Sequence, residues 1–453
     1  NRTQGEDPVI HFYEHFLTAY NKQLKVQRGV FYTPQPVVSY IVRSVHELLQ
    51  SEFGLADGLA DITTWGEMEA RLPGLTRPAA AAPDDPFVTI LDPATGTATF
   101  LVEVIDVIYK TMKAKWKKAG LTEAEQRAAW NEYVPRHLLP RLYGYELMMA
   151  PYAIAHMKIG LKLYETGYRF QSEERVRVYL TNALEEPSPL AEQSAANLFE
   201  ALGHEAQSVN EVKRRIQFTV VIGNPPYSAI SSNLAPEFRR IVDPYRYVNG
   251  IRIRERSMLQ FEKNIQDDYV KFWAFSQAKI KGTNAGIVAL ITNHSYLDGP
   301  TLRGLRWNLL TKFDKLWFLD LHGNANKGEE PPNNQSNDNV FDIKQGVGIA
   351  FCIKLPHCEP RSKIRVAELW GDRAEKYERL STDTVYKTPF TAIQVTEPYF
   401  YFVITCDTPE MAEWESWIPL VEIFTKRSTG TETGFDDLLV GCLLYTSPSP
   451  RDS

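Results

Sequence analysis

The stretch that most constrains this chain is Phe218–Ser228, F-T-V-V-I-G-N-P-P-Y-S. Phe218–Ile222 is uncharged and rich in β-branched side chains, the composition of a buried strand. Pro225 and Pro226 donate no backbone hydrogen bonds, so strand pairing must stop there. The chain leaves the strand in a stiff loop that carries the amide of Asn224, backbone carbonyls and the ring of Tyr227. At the carboxyl end of a strand in an open α/β sheet, such a loop stands where ligands bind. An amide oxygen and a carbonyl can accept both hydrogens of an amino group, and a ring can stack on a flat heterocycle. The bland alternative is a proline-rich turn that only ends a strand, so the rest of the chain has to decide.

Other segments repeat the strand–turn–helix pattern. Phe87–Phe100, F-V-T-I-L-D-P-A-T-G-T-A-T-F, reads as a strand over Val88–Leu91, a turn at Thr95-Gly96-Thr97 and a helix from about Ala98 to Lys117. Gly96 permits close backbone approach, and the helix start offers free N–H groups to an anion. A short strand Leu142–Tyr145 ends at Glu146, whose carboxylate can accept from two ribose hydroxyls. Val176–Leu184 alternates as a third strand and ends near Thr181-Asn182. Ala285–Thr292 and Lys315–Leu321 supply further strands, and Asn339–Leu355 reads as a hairpin turning at Lys344-Gln345-Gly346. Strand and helix alternate, which predicts an α/β, doubly wound, mostly parallel Rossmann-like sheet with a terminal antiparallel hairpin. Ahead of it, Thr33 is expected to cap a helix Gln35–Leu49, with Pro34 at its first position. Phe12, Phe16, Tyr20 and Leu24 share one face of a helix over Asp7–Lys25.

N-P-P-Y after an apolar strand resembles the catalytic loop of S-adenosylmethionine-dependent amino-methyltransferases, chiefly those that modify adenine in DNA. D-P-A-T-G-T-A-T-F resembles their cofactor loop, D-P-x-x-G-x-G-x-F, with Ala98 at the second glycine. F-Y-T-P, from Phe31, resembles the segment that closes over the methionine part of the cofactor. The order of these motifs resembles the gamma group of adenine methyltransferases. With the helical approach before F-Y-T-P, it also resembles the methyltransferase part of Type ISP (single-chain Type I-like) restriction–modification enzymes.

The resemblance implies catalytic roles for Asn224, Pro225, Pro226 and Tyr227. It implies cofactor contacts from Phe31, Thr33, Pro34, Asp92, Pro93, Ala94, Gly96, Thr97, Glu146 and Asn182, with Thr181 second to Asn182 at the adenine. The implied reaction is methyl transfer from S-adenosylmethionine to the N6 amino group of a flipped adenine in double-stranded DNA. Phe341 would line the base pocket or serve as a core aromatic. His294, a strand-end histidine without a carboxylate in its motif, is read as structural. Two other readings stay open: an N-methyltransferase for RNA or protein glutamine, and a DNA-specificity module with a dead cofactor site, to which Ala98 lends some weight.

Composition sets the remaining bounds. A net charge of −6 argues against a simple nucleic-acid coat protein, while leaving room for a local basic face. The segment 228–263 offers one, with Arg239, Arg240, Arg252, Arg254 and Arg256 as candidate DNA contacts; a solvated mixed-charge insertion reads equally well. Cys352, Cys358, Cys406 and Cys442 have no metal-ligand spacing, so no metal is expected, and a cytoplasmic setting fits. No apolar run reaches membrane-spanning length.

The expected organisation is a helical linker over 1–28 and a methyltransferase domain over 29–405, with insertions at 51–85, 228–263 and 323–338. The start of a target-recognition region would fill 406–441. Residues 442–453 contain C-L-L-Y-T-S-P-S-P-R-D, which resembles a translated sequencing adapter. The chain lacks an initial Met and is expected to begin mid-protein, with a nuclease and a DNA-translocating ATPase upstream in the resembling enzymes.

Overall fold

The computed structural model describes residues 32–170, 174–187, 200–227, 233, 235–255, 257–329, 331–332, 336–356 and 363–404. The chain divides into a unit ending at Ile404 and a second unit, Thr405–Ser453. The expected linker 1–28, the recognition region 406–441 and the adapter-like tail lie outside the described residues.

Eleven strands occur in chain order among the described residues. They are β1 (Ile90–Asp92), β2 (Leu142–Glu146), β3 (Arg177–Leu180), β4 (Val220–Gly223), β5 (Tyr247–Val248), β6 (Ile251–Arg252), β7 (Gly286–Asn293), β8 (Lys315–Asp320), β9 (Val347–Lys354), β10 (Lys363–Glu368) and β11 (Thr391–Ile393). Nine form one sheet in the order β11-β10-β8-β9-β7-β4-β1-β2-β3, while β5 and β6 pair separately. β3-β2-β1-β4-β7 is parallel throughout, and so is β8 with β10. The expected α/β sheet, doubly wound and mostly parallel, is therefore present.

The antiparallel part differs in detail from the expectation. β9 runs between β7 and β8 and pairs antiparallel with both, and β11 pairs antiparallel on the edge. Residues 339–343, expected as the partner strand, are irregular. Asn339 explains this, because its side chain donates to the Gly323 and Gln345 carbonyls and accepts from the Phe341 N–H. Those bonds fold the segment on itself and leave it no ladder to join.

Apolar side chains cover both faces of the sheet. Ile90 joins a large core with Leu101, Val104 and Ile108 of the helix Thr99–Lys118. The next residue, Leu91, faces a second core made with Tyr143, Tyr145, Tyr179, Val209, Phe218 and Phe272. This period of two, with helices on either side, is why the central strands are buried at every position. Residues 51–85, expected as a surface insertion, are instead partly core. Leu59, Trp65 and Met68 are buried, and the Trp65 ring meets Phe87 edge-on at 4.8 Å.

The helix Gln35–Phe53 begins from Pro34, which takes the cap position with no side-chain cap bond. Thr33 is not the cap as expected, because its hydroxyl is engaged elsewhere. The third strand stops at Leu180, just before the expected end at Thr181-Asn182, and the Asn182 side chain accepts from the Leu184 N–H and turns the chain. Ala98 is fully buried and left-handed at φ 64°, in the place where glycine would be unstrained.

Ala98 supplies a test of this turn. In Ala98→Gly, relief of about 1 kcal/mol of backbone strain opposes the loss of about 0.8 kcal/mol for a buried methyl, so stability should change by less than about 1 kcal/mol. Ala98→Val, β-branched at positive φ, should lose at least about 2 kcal/mol in urea unfolding.

Candidate active site

The site forms where the sheet reverses direction. From β1 the chain builds outward to β2 and β3, then crosses back to β4 on the other side of β1. A crevice opens at the carboxyl ends of strands around such a switch point. Asp92 ends β1, Glu146 ends β2, and Gly223-Asn224 ends β4.

These residues are close together. A Cβ on Gly223 would stand 2.7 Å from the Asp92 carboxylate, so only glycine lets the two strand ends approach this far. On the other flank, Gly96 N–H donates to Glu146 Oε2 at 2.9 Å, and Thr95 N–H donates to the Tyr145 carbonyl at 2.9 Å. The two halves of the expected site, the glycine turn and the N-P-P-Y loop, thus share one edge of the sheet around Asp92.

Asn224 is held at both ends of its amide. Nδ2 donates to Thr33 Oγ1 at 2.9 Å, and Oδ1 accepts from the Tyr227 hydroxyl at 2.6 Å. In this orientation the amide oxygen lies on the Tyr227 side. Sequence reading missed this coupling between residues 191 positions apart, and no local signal marks it. Tyr227 is 5% exposed, and burial raises its phenol pKa above the usual range. Pro225 is buried and Pro226 half-buried beside it.

The cofactor candidates have distinct geometries. Asp92 is buried: Oδ1 accepts from the Ala94 N–H at 3.1 Å, while Oδ2 has no partner among the described residues. Burial, with the Glu146 charge nearby, pushes its pKa up to about 8 against one opposing backbone hydrogen bond. The helix Thr99–Lys118 starts from Ala98 without a side-chain cap, so its first N–H groups can take an anion. Glu146 accepts from the Gly96 N–H and, at 2.7 Å, from the Met148 N–H. Pro93 is buried, and Pro34, Ala94, Gly96 and Thr97 are half-buried along the same turns.

Asn182 is half-buried and its amide also donates to Asn233 at 2.9 Å. Thr181 and the Asn182 carbonyl both accept from Lys213, whose pKa burial lowers to about 8. Phe31 and Arg256 lie outside the described residues. Arg239, Arg240, Arg252 and Arg254 are all exposed.

An orphaned buried carboxylate oxygen, an uncapped helix start and a strand-end acid suit a ligand with an ammonium, a carboxylate and vicinal hydroxyls. S-adenosylmethionine has all three, so the residues fit it.

His294, read from sequence as structural, has partners that were not legible there. Nδ1 bonds Asp320 at 2.8 Å and Nε2 bonds Asn324 at 2.9 Å, all buried. His322 stacks on Trp370 with centroids 3.4 Å apart. Burial opposes its charge, but Glu329, Glu368 and Asp320 outweigh burial and lift its pKa to about 9. Glu329 also accepts from the Asn324 N–H at 2.9 Å. The described part of the 323–338 loop, expected to be flexible, is therefore tied to the sheet edge. Phe341 is 4% exposed and packs in the main core.

Residues 141–326 match the family model described as Eco57I restriction-modification methylase. This span runs from β2 to just past β8 and includes Asn224. No curated protein sequence matches the chain. Among solved structures, the DrdV–DNA complex is 25% identical over 92% of this chain and 36% of that one, with a TM-score of 0.64. The ATP-dependent Type ISP restriction-modification enzyme LlaBIII bound to DNA is 22% identical, over 95% of this chain and 26% of that one, with a TM-score of 0.68. A nuclease-deletion mutant of the Type ISP enzyme LlaGI, in complex with a DNA substrate mimic, is 19% identical over 86% and 28%, with a TM-score of 0.61. The chain thus spans between 26% and 36% of the length of these three proteins. Among the described residues, no helix is long and apolar enough to cross a membrane.

Asp92 sets a pH test. Its folded pKa of about 8 lies above the ordinary 3.8, so the folded state holds the proton more tightly. Its contribution is complete below the unfolded pKa and is lost as pH rises towards 8. The melting temperature of Asp92→Asn minus that of the parent should therefore increase from pH 5 to about 8 and then level off. A constant difference would show that Asp92 is already ionised when folded.

Residues 141–326 of this chain, which carry β4 and its N-P-P-Y loop, are thus similar to the Eco57I restriction-modification methylase family.

Proposed function

We propose that the domain transfers a methyl group from S-adenosylmethionine to the N6 amino group of an adenine extruded from double-stranded DNA, as the modification part of a larger restriction–modification enzyme. The observation that carries this reading is the Asn224 amide, clamped by Thr33 at the end of β4 and next in the chain to Gly223, which abuts Asp92 at the end of β1. A nuclease and a DNA-translocating ATPase would belong to the longer protein, as the Type ISP relatives suggest.

When bound, the cofactor supplies a methyl group already activated on a sulfonium. Asp92 Oδ2 would accept from its ammonium, the start of the helix Thr99–Lys118 would face its carboxylate, and Glu146 would hold its ribose hydroxyls. Asn182 and Thr181 would border the cofactor's adenine, and Phe31, Thr33 and Pro34 would close over its methionine end.

The amino nitrogen of adenine is a poor nucleophile because its lone pair is delocalised into the ring. Asn224 Oδ1 and the Pro225 carbonyl would accept its two hydrogens, and both contacts strengthen as positive charge develops on nitrogen. Thr33 would hold the Asn224 amide in place beside the base. The Tyr227 hydroxyl now occupies one lone pair of that oxygen, so the incoming amino group shares or displaces it while the ring turns to stack on the base. Extruding the base costs about a few kcal/mol, which the stacking and amino contacts offset.

The test is transfer of labelled methyl to duplex DNA, RNA and protein, with the modified product identified after hydrolysis. N6-methyladenine in DNA is expected; label only in RNA or in glutamine would replace this reading. Saturable cofactor binding is expected too, and its absence would favour a DNA-specificity module. Asn224→Ala should lower transfer at least about 100-fold while cofactor Kd changes less than about 3-fold. Thr33→Val should cost about 10-fold in turnover through a freed amide, and Thr33→Ser should restore most of it.

A further inference from the structure

The hairpin β5–β6 belongs to neither the sheet nor the crevice. Tyr247 pairs with Arg252 and Val248 with Ile251, around a tip of Asn249 (φ 48°) and Gly250 (φ 76°). Two positive-φ residues in an Asn-Gly turn make a tight, well-defined hairpin. A lone two-stranded hairpin is marginal in water, so its rigidity must come from its base.

That base is firmly anchored. Val242, Tyr245 and Ile253 are buried at 0%, 1% and 4% exposure. A Cβ on Gly304 would stand 1.9 Å from the Tyr245 carbonyl, so the segment lies directly on the start of the helix Arg303–Lys312. Asn308 donates to the Pro244 carbonyl at 3.0 Å, and Arg246 grips both oxygens of Glu262 at 3.0 and 2.7 Å. Arg303 pairs with Glu255 just beyond the second strand. The anchoring helix starts past the carboxyl end of β7, on the edge of the sheet where Asn224 sits.

The tip has the opposite character. Ile251 is 72% exposed and Tyr247 43%, and Arg252 and Arg254 project into solvent beside them. Arg239 and Arg240 are exposed on the preceding short helix. An isoleucine held on an anchored turn among exposed arginines suits a polyanion with an apolar interior: arginines meet phosphates while an aliphatic side chain wedges between base steps.

We propose that the Tyr247–Arg252 hairpin is a DNA wedge. Ile251 enters a groove and unstacks a base step beside the adenine to be extruded, and Arg252 and Arg254 hold the flanking phosphates. The proposal rests on the reading that duplex DNA is the substrate, and it adds to phosphate contact an active part in opening the duplex.

The test uses the whole chain with a duplex oligonucleotide. Arg252→Ala/Arg254→Ala should weaken binding and lower the slope of log Kd against log salt by about 1.8, the value for two phosphate contacts. Ile251→Ser should keep the parent slope but abolish the permanganate reactivity of thymines that the parent chain induces. An unchanged slope in the double variant, or parent-like reactivity in Ile251→Ser, overturns the wedge. Failure to bind duplex while cofactor binding stays saturable also overturns it, and leaves the methyltransferase reading to its own substrate test. Conversion from dimer to monomer by Ile251→Ser in light scattering would assign the tip to a protein contact and overturn it equally.

Discussion

The site depends on how closely β1 and β4 run together. Their parallel register pairs Ile90 with Val220 and Leu91 with Val221, and both chains then leave the ladder at once. At that point Gly223 has no side chain to keep Asp92 away. Any larger residue would push the two loops apart, and the crevice is the gap between those loops. Everything with chemical potential hangs from this contact: the glycine turn follows β1, the amide of Asn224 follows β4, and Glu146 reaches Gly96 from β2.

Burial then sets the character of each group. Asp92 lies where its charge is poorly solvated, so its proton affinity rises, and among the described residues Oδ2 is without a partner. Such an atom is costly in an empty fold and useful when a cation arrives. Asn224 is the converse case, with both ends of its amide satisfied before any ligand binds. Preorganisation of this kind removes the cost of orienting the group during reaction, and the Tyr227 hydroxyl holds the place that an amino group would take.

The neighbouring edge, around β7 and β8, is built on different principles. There a charged cluster, His322 with Glu329 and Glu368, ties a polar loop down where no apolar packing would retain it. The polar composition of 323–338 reads as a loose segment because its partners, among them His294, Asp298 and Lys376, lie on separate elements. The same limit applied to 51–85, where an Ala-, Gly- and Pro-rich composition concealed Leu59, Trp65 and Met68 packed into the main core.

Much of the fold was legible in the sequence because strand–turn–helix units are local objects. β-branched runs, a proline stop and a glycine turn act within a few residues, so β1, β2, β4 and their loops could be read with boundaries shifted by a residue or two. The resemblance of N-P-P-Y and D-P-A-T-G-T to a family then put Asn224, Asp92 and Glu146 on one candidate list. Long-range geometry decided the rest. Only the folded chain brings Thr33 to Asn224, puts β9 between β7 and β8, and leaves Ile251 bare on an anchored turn. Each of these depends on which distant surfaces meet, and that is set by the summed packing of the whole sheet rather than by any neighbouring residue.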